Sequence, residues 1–171
     1  MSIEVHDHDP AWPAHAGAAI AELQDAHPGV FAVIEHVGST AVPGLPAKPV
    51  IDLMAAVAAL DAVPGIGLGY APIETGMPER LFYRREPGAG PAVHLHIVTA
   101  ASWPTRNERL LRDHLLAHAA GRAEYGRLKQ GLAAAGHGGD SYTRAKTELI
   151  QRLVDAARRE RGLPLVSVWE E

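Results

Sequence analysis

The segment from Ile34 to Leu53 constrains the fold of this chain more than any other part. It begins as an apolar strand, turns at Gly38-Ser39, passes through a stretch broken by proline and glycine, and continues as a second apolar strand. The pattern predicts a strand rich in β-branched residues over 30–36 and a strand buried on both faces over 49–58. A sheet built around these two strands is therefore expected.

Two polar features interrupt this apolar segment. The Gly38-Ser39 turn exposes backbone N–H groups and a hydroxyl, which suits a phosphate, although such a sequence is more often only a turn. Asp52 stands inside an apolar strand, where an acid is costly unless it binds a metal, a cation or donors. A buried aspartate that caps a neighbouring loop is the alternative. Since the features lie thirteen residues apart, adjacent strands could present both to one cleft, as in a metal-assisted nucleotide site.

A third feature is the pair His94 and His96 in a strictly alternating segment, predicted as a strand over 93–99 that forms a hairpin with 81–84. Histidines at i and i+2 on a strand share a face. They could ligate a metal, contact phosphate or act as acid and base, and a solvent-facing strand that tolerates polar residues is the alternative. Beside the strand of Asp52 they would form a mixed site that favours Mn²⁺, Zn²⁺ or Fe²⁺ over Mg²⁺.

Arginines flank the predicted hairpin. Arg80 and Arg84 would share a face of the strand, and the planar guanidinium suits phosphate because it binds two oxygens at once. A solvated edge explains these residues about as well. Further along, Arg112-Asp113 stands between apolar neighbours and is interpreted as an ion pair that anchors a helix.

Two tyrosine–lysine pairs recur at helical spacing, Tyr125 with Lys129 and Tyr142 with Lys146. Each pair lies on one helix face. The favoured interpretation is an amphipathic boundary, with a half-buried tyrosine and a lysine that reaches for solvent. The alternative is that both lysines line a cleft for an anionic ligand.

The order of elements predicts an α+β fold in which helices segregate toward the C-terminal half. Helices are expected over 12–26, 105–118, 123–135 and 140–161, in a single domain spanning 1–171. Sixteen basic and twenty acidic side chains give a net charge of −4, which disfavours a nucleic-acid polymer as partner. No cysteine is present, and no segment has the composition of a membrane span or signal. A cytoplasmic protein is expected.

The run from His36 to Leu45, followed by Lys48-Pro49-Val50-Ile51-Asp52, resembles the signature of the GrpB-like family. The resemblance covers nearly the whole chain and includes these further pieces: Asp9 to Pro13, Gly69-Tyr70, His94-Leu95-His96, Trp103, Arg112-Asp113 and the two tyrosine–lysine pairs. It implies a branch of the nucleotidyltransferase superfamily, with a mixed sheet flanked by helices and the Gly-Ser turn gripping a triphosphate.

The resemblance also implies a ligand set from which this chain departs. In that superfamily two acids, one residue apart on a strand, bind two divalent metals, and a later strand adds a third acid. Asp52 matches the first acid, but Met54 occupies the partner position, and His94 and His96 stand on the later strand. Either one metal is held by a different ligand set, or a nucleotide-like ligand is bound without that chemistry.

The leading hypothesis is a metal-assisted nucleotidyl or phosphoryl transferase that acts on a small molecule. Asp52, His94 and His96 would hold a divalent ion (Mg²⁺ or Mn²⁺, with Zn²⁺ as an option) or act as acid and base. The groups expected to bind phosphate are Gly38, Ser39, Lys48, Arg80, Arg84, Lys129 and Lys146. The alternatives are a non-catalytic nucleotide-binding or accessory module, and a metal-dependent hydrolase or lyase that uses the histidine strand. The sequence leaves the oligomeric state open.

Overall fold

Helices flank a five-stranded sheet in the computed structural model, which describes residues 4–136 and 139–168, without the side chains of 139–143. The α-helices of this described part are α1 (Trp12–Ala26), α2 (Asn107–Ala117), α3 (Ala119–Ala134) and α4 (Gly139–Glu160). Its strands are β1 (Val33–Val37), β2 (Val50–Val57), β3 (Ala71–Pro72), β4 (Leu81–Arg85) and β5 (Ala92–Thr99). The predicted α+β class, with a helical C-terminal half, is confirmed.

The sheet is mixed, with the strand order β1-β2-β5-β4-β3. Strand β2 is parallel to β5, whereas β1–β2, β5–β4 and β4–β3 are antiparallel pairs. The predicted hairpin of β4 and β5 is present. The central pair places Asp52 beside His94 in the register, with Val37 of β1 on the other side of Asp52.

The two faces of the sheet have different partners because side chains alternate along each strand. One face carries apolar side chains of β2 and β5 and is covered by α1. The cluster of buried side chains on this face includes Trp12, Ala16, Leu23, Ile51, Leu53, Leu95 and Ile97. Asp52 and His94 therefore belong to the opposite face, together with His96.

The helices α2, α3 and α4 pack together on the side of that opposite face and extend the core to the loop after β1. Buried side chains of this layer are Val42, Leu45, Leu115, Tyr125, Leu149 and Leu153. Gly126 of α3 approaches Pro46 so closely that an added Cβ would lie 3.0 Å from Pro46 Cδ. The proline-broken loop thus has a structural role, because the helical layer packs on it beside the face of the sheet that carries Asp52.

Several boundaries differ from the prediction. Strand β1 begins at Val33 rather than at 30, because the chain is still turning after Gly29, whose φ is +77°. Helix α3 begins at Ala119 rather than at 123 and includes Gly121. The missing side chain of this glycine permits close packing, since an added Cβ would lie 3.2 Å from Leu153 Cδ2.

The segment after α4 forms no strand over 163–168, and side chains of α4 hold it in place. Gln151 donates from Nε2 to Val166 O at 2.9 Å and accepts from Val168 N at 3.0 Å. None of the described helices is both long and apolar enough to cross a bilayer.

Candidate functional site

A cavity of about 300 Å³ lies between the Asp52 face of the sheet and the helices α2, α3 and α4. Its wall combines the turn after β1, the start of β2, His96 of β5, one side of α2, two residues of α3 and one of α4. The predicted site residues that line it are Gly38, Ser39, Lys48, Asp52, His96, Lys129 and Lys146. Residues far apart in sequence thus meet in one concave site, which is the usual setting of a small-molecule pocket.

The turn after β1 is held against β2 by a buried threonine. Thr40 Oγ1 donates to Val50 O at 3.1 Å and is 2.8 Å from Nε2 of His36. Gly38 has φ +75° and ψ −176°, a conformation that is essentially confined to glycine. An added Cβ there would lie 2.5 Å from Asp52 Oδ2. The glycine is therefore required both by the backbone conformation and by the contact with the carboxylate.

Asp52 lies next to both histidines of β5. Its Oδ1 is 3.6 Å from His94 Nδ1 and 3.9 Å from His96 Nε2. Burial raises the pKa of the Asp52 carboxyl to about 6, even though Lys48, Lys129 and Lys146 act to lower it. An acid with a pKa near neutrality can exchange a proton under physiological conditions, as a general base must.

Both histidines are neutral at pH 7. Burial, helped by Arg84 for His94 and by Arg80 for His96, lowers the pKa of each imidazole to about 4. The ring of Phe82 stacks on His96 with centroids 4.8 Å apart and meets His94 edge-on at 5.4 Å. These contacts fix the orientation of the imidazoles beside the carboxylate.

Arg80 connects the histidine strand to α2. Its Nη1 donates to Glu108 Oε2 at 2.8 Å and lies 3.3 Å from Nδ1 of His96. Since a guanidinium only donates, Nδ1 accepts, and the proton of the neutral imidazole is on Nε2, which faces Asp52. Arg80 thus acts beside the cavity through His96 and Glu108. Arg84 is outside it, 45% exposed and 3.7 Å from Glu86 Oε1.

Lysines form the cationic part of the wall. Lys129 of α3 is only 3% exposed, and its Nζ lies 5.0 Å from the centre of the Tyr125 ring, which Lys146 of α4 approaches to 5.9 Å. Burial, together with Lys146 and Lys48, holds the pKa of Lys129 well below 10.5, and burial with Lys48 lowers the pKa of Lys146 to about 8. The favoured interpretation of a lysine reaching for solvent was wrong for Lys129.

The sequence contains three lysines, which are Lys48, Lys129 and Lys146, and thirteen arginines. All three line the same cavity. Arginines occupy the other positions, including exposed ones, whereas the lysines are concentrated at this cavity. The side chain of Tyr142, the predicted neighbour of Lys146, lies outside the described residues.

Helix α2 contributes residues that sequence reasoning missed or interpreted otherwise. Glu108 and Arg112 both line the cavity. Arg112 contacts Asp113 as predicted, at 2.9 Å, but it also lies 2.9 Å from Glu35 Oε1 and donates to His36 O at 3.0 Å. The i, i+4 spacing of Glu108 and Arg112 was the available signal, because it places both on one helix face.

Glu35 belongs to the same network and was also missed. Burial would raise its pKa, but contacts with Arg109 and Arg112 outweigh that effect and lower it. In the register Glu35 stands beside Met54, the position at which the family resemblance implies a second acid. The carboxylate is therefore close to that position but is neutralised by two arginines.

The two-metal ligand set does not fit this site. Met54 is fully buried and packs with Val37 and Val98, so this position offers neither a carboxylate nor access for an ion. Asp52 with one imidazole has the donor chemistry for a single ion. Among the described residues, however, the one set of three metal-ligand side chains whose ligating atoms all lie within 4.8 Å of one another is elsewhere, on α2 and α4. The metal role of Asp52, His94 and His96 stays a prediction.

The fold and the cleft define a class of mixed α+β proteins with a lysine-lined pocket at a sheet–helix boundary. Comparison with known sequences identifies the family: residues 2–156 match the model described as "GrpB protein", and the chain belongs to the GrpB family. The match spans the sheet and most of the helical layer. The resemblance inferred from the sequence is thereby confirmed at the level of the family.

Relatives of known sequence agree with this assignment. The UPF0157 protein PA4798 of Pseudomonas aeruginosa is 34% identical, over 96% of this chain and 71% of its own length. The UPF0157 protein SCO7215 of Streptomyces coelicolor is 34% identical, over 93% of this chain and 88% of its own. A protein of Mycolicibacterium paratuberculosis named dephospho-CoA kinase is 30% identical, over 88% of this chain and 44% of its own.

A solved structure shares the whole architecture. The crystal structure of the conserved protein GrpB from Enterococcus faecalis superposes with a TM-score of 0.83 at 27% identity. The alignment covers 93% of this chain and 99% of that one. The mixed sheet with its helical layer is therefore shared with a solved structure that carries the name GrpB.

Proposed function

We propose that this protein binds a phosphorylated small molecule in the lysine-lined cleft, with a nucleotide as the first candidate, and transfers a phosphoryl or nucleotidyl group from it. The observation that carries the proposal is the convergence of Lys48, Lys129 and Lys146 on one cavity. Ammonium groups held close together away from water destabilise one another's charged form. A ligand with several anionic oxygens removes that cost and forms charge-assisted hydrogen bonds with the same groups.

The shape of the cleft agrees with a phosphate group as the buried part of the ligand. Gly38 presents bare backbone, and Ser39 lines the same wall. Glycine allows a phosphate to approach the main chain closely, and a hydroxyl adds a donor. A volume of about 300 Å³ is at the lower end for small-molecule pockets. The phosphates would lie inside, and the remainder of a nucleotide would extend through the opening.

Asp52 and His96 would supply the proton chemistry of transfer. With a pKa of about 6, the Asp52 carboxylate can accept the proton of an attacking hydroxyl as its oxygen bonds to phosphorus. The P–O bond to the leaving group breaks in the same step, and nucleoside diphosphate leaves after phosphoryl transfer or pyrophosphate after nucleotidyl transfer. His96 is neutral and directs Nε2 toward that carboxylate, so it would orient the group. In the metal-assisted alternative, Asp52 with one imidazole would instead hold a divalent ion that neutralises ligand charge, and the lysines would share that role.

A non-catalytic binding module is the second candidate, and the burial of Met54 favours it. A two-metal transferase would need a second acidic ligand at the position of Met54, which β2 does not provide. Phosphate recognition by lysines and backbone N–H groups needs no metal. The relative named dephospho-CoA kinase carries a GrpB-like segment in less than half of its length. Its name agrees with a phosphorylated ligand under either candidate.

Binding is tested by calorimetric titration of the protein with ATP, GTP, CTP, UTP and inorganic triphosphate, each with and without Mn²⁺. Replacing Lys129 with methionine is expected to weaken binding about 10- to 100-fold, since a charge-assisted hydrogen bond to a charged group contributes about 1.5–3 kcal/mol. Arg127→Met is the matched control, because it removes one exposed positive charge from the same helix. If both variants weakened nucleotide binding equally, the loss would come from the change in net charge and not from a contact of Lys129.

Transfer is tested separately, with ATP labelled at the α- or γ-phosphate and a pool of small-molecule alcohols as acceptors. Product that forms with the wild type and is reduced at least about 100-fold in Asp52→Asn, with binding retained, would support the transferase. If a nucleotide binds but no product forms, the result would support the non-catalytic binding module. Failure of every nucleotide and of triphosphate to bind would refute the proposal.

A further inference from the structure

A second cluster of metal-ligand side chains lies at the C-terminal ends of α2 and α4, away from the residues that form the cleft. His114 lies on α2, His118 follows one helical turn later as the residue directly after the end of α2, and Glu160 is the last residue of α4. The imidazole centroids are 4.1 Å apart, and the rings are tilted by 34°. Two elements distant in sequence thus bring three potential ligands together.

The distances match those of a small metal centre. Glu160 Oε1 lies 3.1 Å from His118 Nε2 and 3.9 Å from His114 Nδ1, and the ligating atoms of the three residues all lie within 4.8 Å of one another. Ligands about 2.0–2.1 Å from a tetrahedral zinc ion are roughly 3.3 Å apart. Small rotations of exposed side chains would complete the geometry, because His118 is 43% and Glu160 is 49% exposed.

His114 provides an independent indication of a missing ligand. Its side chain is only 7% exposed, and its Nδ1 has no hydrogen-bond partner among the described residues. A buried polar atom without a partner costs about 1–3 kcal/mol, so most are satisfied by protein, water or an ion. Here the unsatisfied nitrogen is the one that faces Glu160.

The neighbouring charges permit a cation at this place. The guanidinium of neighbouring Arg161 is engaged elsewhere, since it donates to Ala157 O at 3.1 Å and lies 3.9 Å from Asp113 Oδ2. Asp113 contacts both Arg112 and Arg161, whereas the carboxylate of Glu160 faces the two imidazoles. Two imidazoles and one carboxylate are ligands that Zn²⁺, Ni²⁺ and Co²⁺ accept, whereas Mg²⁺ and Ca²⁺ prefer oxygen alone.

We infer that His114, His118 and Glu160 bind one divalent transition-metal ion, with Zn²⁺ as the first candidate, and that this ion joins the ends of α2 and α4. Water from the exposed side would fill the fourth position. The ion would stabilise the helical layer, in which α2 and α4 also carry Arg112 and Lys146 of the cleft. This inference does not depend on the proposed function, because the ligands are not part of the cleft.

The experiment uses the full chain without an affinity tag, freed of metal with a chelator and titrated with ZnCl₂ and CoCl₂. At a zinc concentration about 100 times Kd, the Tm is expected to rise by about 5–10 °C. Bound Co²⁺ is expected to show the intense visible absorption of a four-coordinate centre. His118→Ala and Glu160→Gln are expected to weaken zinc binding about 100-fold or more, beyond the loss typical of a supporting residue.

The control is His15→Ala, which removes an exposed histidine from α1 and is expected to retain the full zinc response. Both ligand variants alter exposed side chains, so their metal-free Tm should stay near that of the wild type. A wild type that shows neither a zinc-dependent Tm shift nor a four-coordinate Co²⁺ spectrum would overturn the inference. The inference would also be overturned if His118→Ala and Glu160→Gln bound zinc as tightly as His15→Ala.

Discussion

Asp52→Asn is expected to increase the free energy of unfolding at pH 8 by about 1 to 3 kcal/mol, although it removes a residue of the candidate site. The Asp52 carboxyl has a pKa of about 6 in the folded protein against an ordinary value of 3.8, so its ionisation is unfavourable in the native state. Each pKa unit corresponds to about 1.4 kcal/mol, and contact with solvent reduces the total. The attraction of the lysines is already contained in the value of 6.

The effect should depend on pH in a defined direction. Because the folded pKa is raised, the contribution of Asp52 to stability is most favourable below about pH 4 and falls as the pH rises from about 4 to about 6. Asparagine does not ionise, so the difference between variant and wild type should be small at pH 4 and complete above pH 6. Urea unfolding at pH 4 and pH 8 measures it, through the midpoint at constant slope.

The matched control is Asp61→Asn, which alters an exposed acid in the short turn after β2 and should change stability little at either pH. If Asp52→Asn were instead destabilised equally at pH 4 and pH 8, Asp52 would have a structural role, in which its side chain caps a loop through hydrogen bonds. An ionised acid retained at a cost to stability is instead the pattern of a functional site.

Gly38→Ala is expected to destabilise the protein by about 2 to 5 kcal/mol. Two penalties combine at this position. The backbone, at φ +75° and ψ −176°, is in a region that costs a non-glycine residue about 1–3 kcal/mol. The added methyl group would also lie 2.5 Å from Asp52 Oδ2, and relieving such an overlap costs about 1–3 kcal/mol more.

Two other glycines separate these contributions. Gly29 has a similar φ of +77° but open space around it, so Gly29→Ala should show the backbone penalty alone, about 1 kcal/mol. Gly17 lies on the exposed side of α1 with open space, and Gly17→Ala should stabilise the helix by about 0.5–1 kcal/mol. Chemical denaturation of the three variants gives the comparison. A cost for Gly38→Ala no larger than that for Gly29→Ala would mean that the close approach to Asp52 is unimportant.

The strands and the long helices could be predicted because their signal is local. Alternation of apolar and polar residues identified β5 and the shared face of His94 and His96, and 3.6-residue periodicity identified α1 with its observed bounds. Starts of elements were less accurate. Helix α3 was predicted to begin at 123 but begins at Ala119 and includes Gly121. The close packing of Gly121 against Leu153 is not visible in sequence.

The lysines show more clearly which features could not be predicted from sequence. Spacing alone placed Lys129 on the same face as Tyr125, and such a pair is ordinarily a boundary between core and solvent. Only the packing of α3 and α4 against the loop at Leu45 and Pro46 encloses that face and brings Lys129 to Lys48 and Asp52. Glu35 and Arg112 were paired by the same long-range packing.

The family, the order of elements, and the polar interruptions at Gly38-Ser39 and Asp52 could be inferred from the amino-acid pattern, because turn residues and hydrophobic alternation act over a few neighbours. The tertiary structure decided which side chains share a cavity, how burial shifts the pKa values of Asp52 and the lysines, and where three ligands meet at His114. These properties depend on the distances between elements and on the exclusion of water, which exist only after the sheet and the helical layer have packed together.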